Sequence, residues 1–264
     1  MRILLLKRKY LFFLLALLLL ILLSLYFSTI TLWTNSAHSV TEETQTTSTV
    51  KVSNQEIIDN IYQSQEKIAY LTFDDGPTKK GTPKILDILK ENNIKATFFV
   101  IGKRVEENPE LVKRAYEEGH FIANHTYSHQ DSSIYQNKES FLKEIEKTNV
   151  AISKALGMKD YNPHLFRFPC GSQVNYSMKK NYIPYLKELD YAYLDWNCLN
   201  DDGVKKYSAS QLLNNLKNTV KNKNALVILM HDSGDLNQTD EVLQSSIDYL
   251  KQQGYEFKNM RELF

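Results

Sequence analysis

The sequence predicts an α/β fold in which about seven short strands alternate with amphipathic helices in a parallel sheet. Three observations carry that prediction. From Ile68 onward, brief apolar runs recur between helical patterns. The helical patterns repeat their apolar residues every three or four positions. Unusual polar clusters follow the apolar runs instead of interrupting them. In parallel α/β folds the active site is assembled on that strand-end rim, which favours closure, or near closure, into a barrel.

The candidate strands are Ala69–Phe73, Ala96–Ile101, Phe121–Asn124, Leu165–Phe168, Tyr191–Leu194, Leu226–Met230 and Tyr255–Phe257. Between them lie TPKILDILKENN, PELVKRAYEEG, SFLKEIEKTNVAISKALG, SASQLLNNLKNTVKN and TDEVLQSSIDYLKQQG, all with helical periodicity. The last carries Val242, Leu243, Ser246, Ile247 and Leu250 on one face, and Gly254 stops it.

The chain before Ile68 reads differently. Leu11 to Trp33 is about 23 residues without a charge, roughly 34 Å as a helix and long enough to cross a membrane core of about 30 Å. Arg2, Lys7, Arg8 and Lys9 precede it, so the positive-inside bias leaves the N-terminus in the cytoplasm and the remainder outside. The run exceeds a secretory h-region, and no clean small-x-small site follows, which favours an uncleaved signal anchor over a signal peptide. Residues 34–66 begin rich in Ser and Thr and read as a tether, with Ile57, Ile58 and Ile61 placed for one short helical turn. The expected organisation is a basic cytoplasmic segment over 1–10, a single-pass anchor over 11–33, an extracellular tether over 34–66 and an α/β domain over 67–264.

Composition excludes some functions. Thirty-two Lys and Arg against 31 Asp and Glu leave a net charge of +1, without the basic excess that nucleic-acid binding needs. Two cysteines rule out a four-cysteine zinc site. No sequence feature identifies a protein partner.

The chemistry sits after the strands. Thr72-Phe73-Asp74-Asp75-Gly76-Pro77 ends the first, and His125-Thr126-Tyr127-Ser128-His129 follows the third. Arg167-Phe168-Pro169-Cys170-Gly171 ends the fourth, Asp195-Trp196-Asn197 the fifth, and Leu229-Met230-His231-Asp232 the sixth. Asp-Gly-Pro alone is ordinary turn chemistry. His125 and His129 are four apart, so one helical turn sets both imidazoles on one side. Alone, such a pair is more often a surface feature of a helix. With an aspartate on the same rim, two histidines and a carboxylate make a catalytic metal site with an open position.

Arg167 belongs to a buried segment and needs a carboxylate partner. Paired with a site aspartate, it keeps that aspartate ionised as a base, and Asp195 near His231 keeps the histidine protonated as an acid. His120 and His164 precede strands and read as structural, and His38 falls in the tether.

TFDDGP, HTYSH and LMH, in this order, resemble the motifs of the polysaccharide deacetylases of carbohydrate esterase family four, the NodB-like domain, from about Ile68 to the C-terminus. The resemblance implies a distorted (β/α) barrel and a divalent metal, zinc first and Co²⁺ or Mn²⁺ as alternatives, on Asp75, His125 and His129. It implies Asp74 as general base, oriented by Arg167, and His231 as general acid, tuned by Asp195. Pro169, Cys170, Trp196 and Leu229 become substrate-binding residues, with the backbone N–H of Cys170 facing the oxyanion and Trp196 and Leu229 lining an acetyl pocket. Two positions depart from the family pattern: Cys170 stands where an aromatic is usual, and Ala192 where a second aspartate is usual.

Cys170 and Cys198 each follow a site residue by three positions. Two readings stay open: a disulfide pinning two active-site loops, or two free thiols. The function expected is a membrane-anchored hydrolase that removes N-acetyl groups from the N-acetylglucosamine residues of an extracellular glycan, with bacterial cell-wall peptidoglycan the nearest substrate. The alternatives are a deacetylase of another surface, biofilm or chitin-type glycan, an O-acetyl esterase on xylan, and a non-catalytic glycan-binding module.

Overall fold

The spine of the molecule is β1 (Ile68–Asp74), whose seven residues IAYLTFD are all buried. Burial on both faces explains why it reads as a nearly continuous apolar run, as parallel strands do. In this computed structural model, which describes residues 18–26, 52–233 and 239–264, β1 pairs along its whole length with β7 (Ala225–His231), from Ile68↔Ala225 to Asp74↔His231. Its other edge is shared. β2 (Thr97–Val100) takes the C-terminal half, and the last strand, Glu256–Lys258 (β8), takes the N-terminal half.

β3 (Phe121–Asn124), β4 (Leu165–Phe166) and β5 (Ala192–Tyr193) extend the sheet beyond β2, and β6 (Cys198–Leu199) lies outside β7. The order β5-β4-β3-β2-β1-β7-β6 is parallel throughout, with β8 inserted against β1. The edges β5 and β6 are consecutive in sequence yet do not pair with each other. The result is a distorted (β/α) barrel with seven strands around it. All seven expected strands are present, though the fourth and fifth are shorter than the apolar runs suggested. β6 was missed because two residues carry no periodicity.

Alternation along β1 sorts its side chains. Ala69, Leu71 and Phe73 face outward into the core shared with the helices, alongside Leu86, Leu89, Ile228, Leu243 and Ile247. Ile68 and Tyr70 face the interior with Phe99, Ala123, Leu165, Ala192, Leu194 and Val227. Thr72 and Asp74 continue the inward set, so β1 itself aims a carboxylate into the mouth of the barrel. All five expected helices form: Thr82–Glu91, Pro109–Glu117, Lys138–Leu156, Ala209–Val220 and Thr239–Gln252. Gly157 closes the third at φ 67°, and a Ser208–Gln211 capping box opens the fourth.

The domain begins earlier than expected. Residues Asn54–Ile61 form a helix opened by a Ser53–Glu56 capping box, and Ile58 and Ile61 are buried in the interior cluster with Ile68, Phe121 and Met260. Asn54 Nδ2 donates to the Asp190 carbonyl at 2.6 Å, and Gln55 exchanges hydrogen bonds with the backbone of Tyr193. The last part of the expected tether, from Val52, is therefore domain, and the compact unit spans Val52–Phe264. The apolar residues win over the polar composition because Ile58 and Ile61 lie one turn apart and share the buried face.

The expected anchor and the rest of the tether lie largely outside the described residues. Residues 18–26 are helical, with exposed Leu and Ile side chains. Among the described residues no helix is long and apolar enough to cross a membrane.

Candidate active site

β1, β3, β4 and β7 end on one rim and bring most of the expected residues together. Register alone places Asp74 beside His231, because they are partners at the ends of β1 and β7. Arg167, fully buried just after β4, reaches across the interior. Its Nη1 donates to Asp74 Oδ1 at 2.8 Å and to Thr72 Oγ1 at 2.7 Å, and its Nε donates to the Leu194 carbonyl at 2.8 Å. The guanidinium lies 4.0 Å from the Phe99 ring centre. Burial pushes the Asp74 carboxyl above its ordinary value, and the Arg167 charge opposes that shift. The expected Asp74–Arg167 pair is present, but its expected effect is not: burial outweighs the guanidinium, so the carboxyl stands above its ordinary value instead of below it, and is the stronger base once ionised.

Asp75, His125 and His129 form the second group, with one ligand atom from each within 4.8 Å of the others. Asp75 Oδ1 is 3.5 Å from His125 Nε2 and 3.3 Å from His129 Nε2. His125 Nδ1 lies 2.9 Å from the Arg167 carbonyl, which can only accept, so Nδ1 carries the proton and Nε2 a lone pair. Burial, with His129 adding, holds His125 down to about 3, which keeps it neutral, as a metal ligand must be. Among the described residues the buried Asp75 Oδ1 accepts no hydrogen bond. A lone pair and an unpartnered carboxylate oxygen facing each other call for a cation, and the three residues fit a divalent one.

The histidine pair does not ride on a helix. Residues 125–129 form a loop in which Thr126 (φ 68°) and His129 (φ 56°) are left-handed, as is Asp75 (φ 73°). Such backbone persists only where the surroundings fix it. Glu144, on the helix Lys138–Leu156, supplies much of that fixing: its Oε2 accepts from the backbone N–H groups of Tyr127 (2.9 Å) and Ser128 (2.7 Å) and from Ser128 Oγ (3.0 Å). Asn124 Oδ1 accepts from Thr126 N–H, and Thr126 Oγ1 from His129 N–H. Neither Glu144 nor Asn124 was singled out in the sequence, since one looks like an exposed helix charge and the other like a strand end.

His231 corrects the sequence reading. Its Nδ1 lies 2.7 Å from Asp202 Oδ1, and its backbone N–H donates to Asp202 Oδ2 at 2.9 Å. Thr239 Oγ1 also donates to Asp202 Oδ2, at 2.5 Å. Burial alone lowers the imidazole, but the hydrogen bond and charge of Asp202, reinforced by Asp74 and Asp75, raise it to about 9. Asp195, expected in this role, instead accepts from Ser172 N–H (2.9 Å) and Ser172 Oγ (2.5 Å). Asp202 follows β6, in Asn200-Asp201-Asp202-Gly203, and the missed strand concealed it. A Cβ on Gly203 would collide with the His231 ring, so the close approach itself requires glycine there.

The expected substrate-side residues lie around the same rim. Pro169 is buried and Cys170 exposed, Trp196 is half-buried with its ring against Gly171, where a side chain would collide with it, and Leu229 is buried in β7. The two cysteines are free thiols, so the disulfide reading fails. Cys198 points under the helix Ala209–Val220, with Sγ 3.4 Å from the Thr219 carbonyl, while Cys170 is exposed on its loop. His120 and His164 are structural: His120 Nδ1 accepts from Ala96 N–H at 3.1 Å, and His164 Nδ1 lies 3.0 Å from the Asp190 carbonyl. Ala192 is buried in the barrel interior among apolar side chains.

This constellation can be set beside known proteins. The family model for polysaccharide deacetylases matches residues 61–194. The chain belongs to the polysaccharide deacetylase family. It is similar to a peptidoglycan-N-acetylglucosamine deacetylase of Bacillus cereus, 36% identical over 197 residues, covering 74% of this chain and 67% of that protein. It is also similar to the peptidoglycan-N-acetylmuramic acid deacetylase PdaA of Bacillus subtilis, 34% identical over 207 residues, covering 76% and 72%. Among solved structures, a Streptococcus mutans CE4 esterase superposes with a TM-score of 0.71 at 28% identity, covering 78% of this chain and 90% of that one.

Proposed function

We propose that this polysaccharide deacetylase removes N-acetyl groups from N-acetylglucosamine residues of cell-wall peptidoglycan. The observation that carries the reading is the flanking of one metal-fitting triad by two groups with opposite partners, a carboxylate held by a guanidinium and an imidazole held by a carboxylate. Asp74, buried against Arg167, accepts a proton. His231, charged by Asp202, gives one. The similar Bacillus cereus protein supports the choice of substrate by its name.

Asp75, His125 and His129 would hold the cation, zinc first by the two-imidazole, one-carboxylate donor set. A divalent cation there supplies Lewis acidity to a water and to the acetyl carbonyl. The chain does the rest. Asp74 Oδ2, 3.8 Å from His125 Nε2, faces the triad and takes the proton of the attacking water, while Arg167 holds Oδ1 and fixes the carboxylate plane. His231 presents Nε2 away from Asp202 and protonates the amine, a poor leaving group until it is protonated.

The charge-free run from Leu11 to Trp33, preceded by four basic residues, supports a single-pass anchor with the domain outside a bacterial cell. Residues 34–51 then serve as the tether.

The test is acetate release by the full chain in detergent, with and without zinc, from purified peptidoglycan, N-acetylglucosamine oligomers and acetylated xylan, followed by sugar analysis of the digested wall. Zinc-dependent release from peptidoglycan that yields glucosamine supports the proposal. Free-amine muramic acid instead would move the reaction to the neighbouring sugar, and release from oligomers or xylan alone would move it to another glycan. Silence on all three from a folded, zinc-loaded protein would leave a glycan-binding module.

A further inference from the structure

Lys179 is 1% exposed, an unusual burial for an ammonium group, and among the described residues no carboxylate pairs with it. Its Nζ donates to two backbone carbonyls of one turn, Pro169 at 2.5 Å and Gly171 at 2.7 Å, and lies 5.9 Å from the Tyr135 ring centre. The turn it grips runs through Cys170 (φ 58°) and Gly171 (φ 78°), two successive left-handed residues that immediately follow the Arg167 segment.

In a trans peptide the C=O of one residue and the N–H of the next point in opposite directions. Fixing two carbonyls on one ammonium therefore turns the N–H groups of Cys170 and Ser172 away from Lys179. The second is seen to obey: Ser172 N–H donates to Asp195 Oδ1 at 2.9 Å on the far side. Gly171 N–H is taken by the Phe168 carbonyl at 2.8 Å. Among the described residues the Cys170 N–H meets no acceptor. Trp196 packs against Gly171, so the N–H side of the turn faces the Asp195–Trp196 corner of the rim.

We propose that Lys179 is a positioning residue, acting against Asp195 to hold the 169–172 turn so that the Cys170 N–H is presented to the oxygen of the acetyl group as charge develops on it. This rests on the deacetylase reading given above. It also gives Asp195 a place in the reaction other than the one expected from the sequence: it grips the turn and leaves His231 to Asp202. A cation on one side and an anion on the other hold a strained turn more rigidly than either alone. They also explain why an exposed Cys170 suffices where an aromatic is usual, since only its backbone is used.

The chain has two cysteines, so ¹⁵N-cysteine labelling of the zinc-loaded full chain in detergent gives two amide signals. Cys170 reports on the turn and Cys198, buried in β6, on the fold. Acetate, the product, is the probe, and it should move the Cys170 signal while leaving Cys198 in place. In Lys179→Met the Cys170 signal should shift before any acetate is added and lose its acetate response, with Cys198 unmoved. The same variant should lose about 10²-fold in kcat with KM within about twofold, as removal of an oxyanion donor does. Lys179→Arg should recover at least about tenfold of that loss, because it keeps the charge and the donors.

An unchanged Cys170 signal and kcat in Lys179→Met overturn the proposal, and so does a kcat loss accompanied by displacement of Cys198, which would mark a structural role. If Lys179→Met does not fold, Ser172→Ala loosens the grip from the Asp195 side without stranding a buried charge. It must then displace the Cys170 signal, and failure to do so is equally decisive. The amide readout needs no turnover, so a wild-type protein that releases no acetate sinks the function while leaving the grip measurable.

Discussion

Asp202 holds His231 at two points, accepting from Nδ1 through Oδ1 at 2.7 Å and from the backbone N–H through Oδ2 at 2.9 Å. One carboxylate therefore fixes both the position of the residue and the protonation of its ring. The Asp202 side chain is buried and that of His231 remains 22% exposed, so the ring tip stays within reach of a substrate amine.

The sign of the pH dependence follows. A histidine raised to about 9 is protonated below that pH and loses its proton above it. Deacetylation should fall as pH rises through about 9. In Asp202→Asn the hydrogen-bonding shape is kept but the charge is gone, so the fall should move toward the ordinary histidine value of 6.5. A kcat profile from pH 5 to 10 checks this, and an unshifted alkaline limb would assign the acid to another group.

Asp74 and Arg167 make a second coupled pair. Removing the charge from Asp74 leaves a fully buried guanidinium without its counter-ion, which destabilises a protein by about 3–5 kcal/mol. Asp74→Asn should therefore lower kcat by about 10²–10⁴-fold, as loss of a general base does. It should also reduce the midpoint of urea unfolding. A variant that loses activity at unchanged stability would mean that Thr72 and Leu194 satisfy Arg167 on their own.

Zinc affinity should depend on a residue that never touches the ion. Glu144 fixes the loop between His125 and His129 through three hydrogen bonds. Outer partners of this kind are worth about 10–100-fold in metal affinity. Glu144→Ala should weaken zinc binding by that factor in a competition titration against a chromogenic chelator. For the wild type, zinc at about 100 times its Kd should add about 2.7 kcal/mol to stability. Loss of this gain in His129→Gln, with the zinc-free stability kept, would tie it to the triad.

The helix Asn54–Ile61 is expected to be part of the folding unit. Ile58, 1% exposed, packs in the barrel interior, and Ile58→Ala should cost about 2–5 kcal/mol in denaturant unfolding. A fragment over 52–264 should unfold in one cooperative transition at a higher midpoint than one over 67–264. Equal midpoints would return these residues to the tether.

Much of the site was legible because it is local. Asp74 and Asp75 end a strand whose apolar run is unmistakable, and His125 and His129 sit four apart beyond another. Arg167 had to find a carboxylate once its segment was read as buried, and Asp74 is that carboxylate. Less legible was the manner in which the histidines meet. Their spacing suggested a helical turn, whereas left-handed backbone at Thr126 and His129, fixed by Glu144, does the work.

The sequence by itself determined the longer strands and helices, and which polar residues sit at their strand ends, because hydrophobic periodicity and turn chemistry are local properties. It also determined the chemical repertoire of the rim: carboxylates, imidazoles and one guanidinium. Only the tertiary structure decided who partners whom. Asp195 and Asp202 are both aspartates in loops beyond short strands, and nothing local distinguishes them. The two-residue strand β6, pairing Cys198 with Ile228, carries the chain beside β7 and brings Asp202 under His231, while Asp195 stays at the turn held by Lys179. Cys198 is turned inward by the same strand, away from Cys170. Such pairings depend on the crossing of distant segments, and a strand of two residues leaves no periodic trace from which to foresee it.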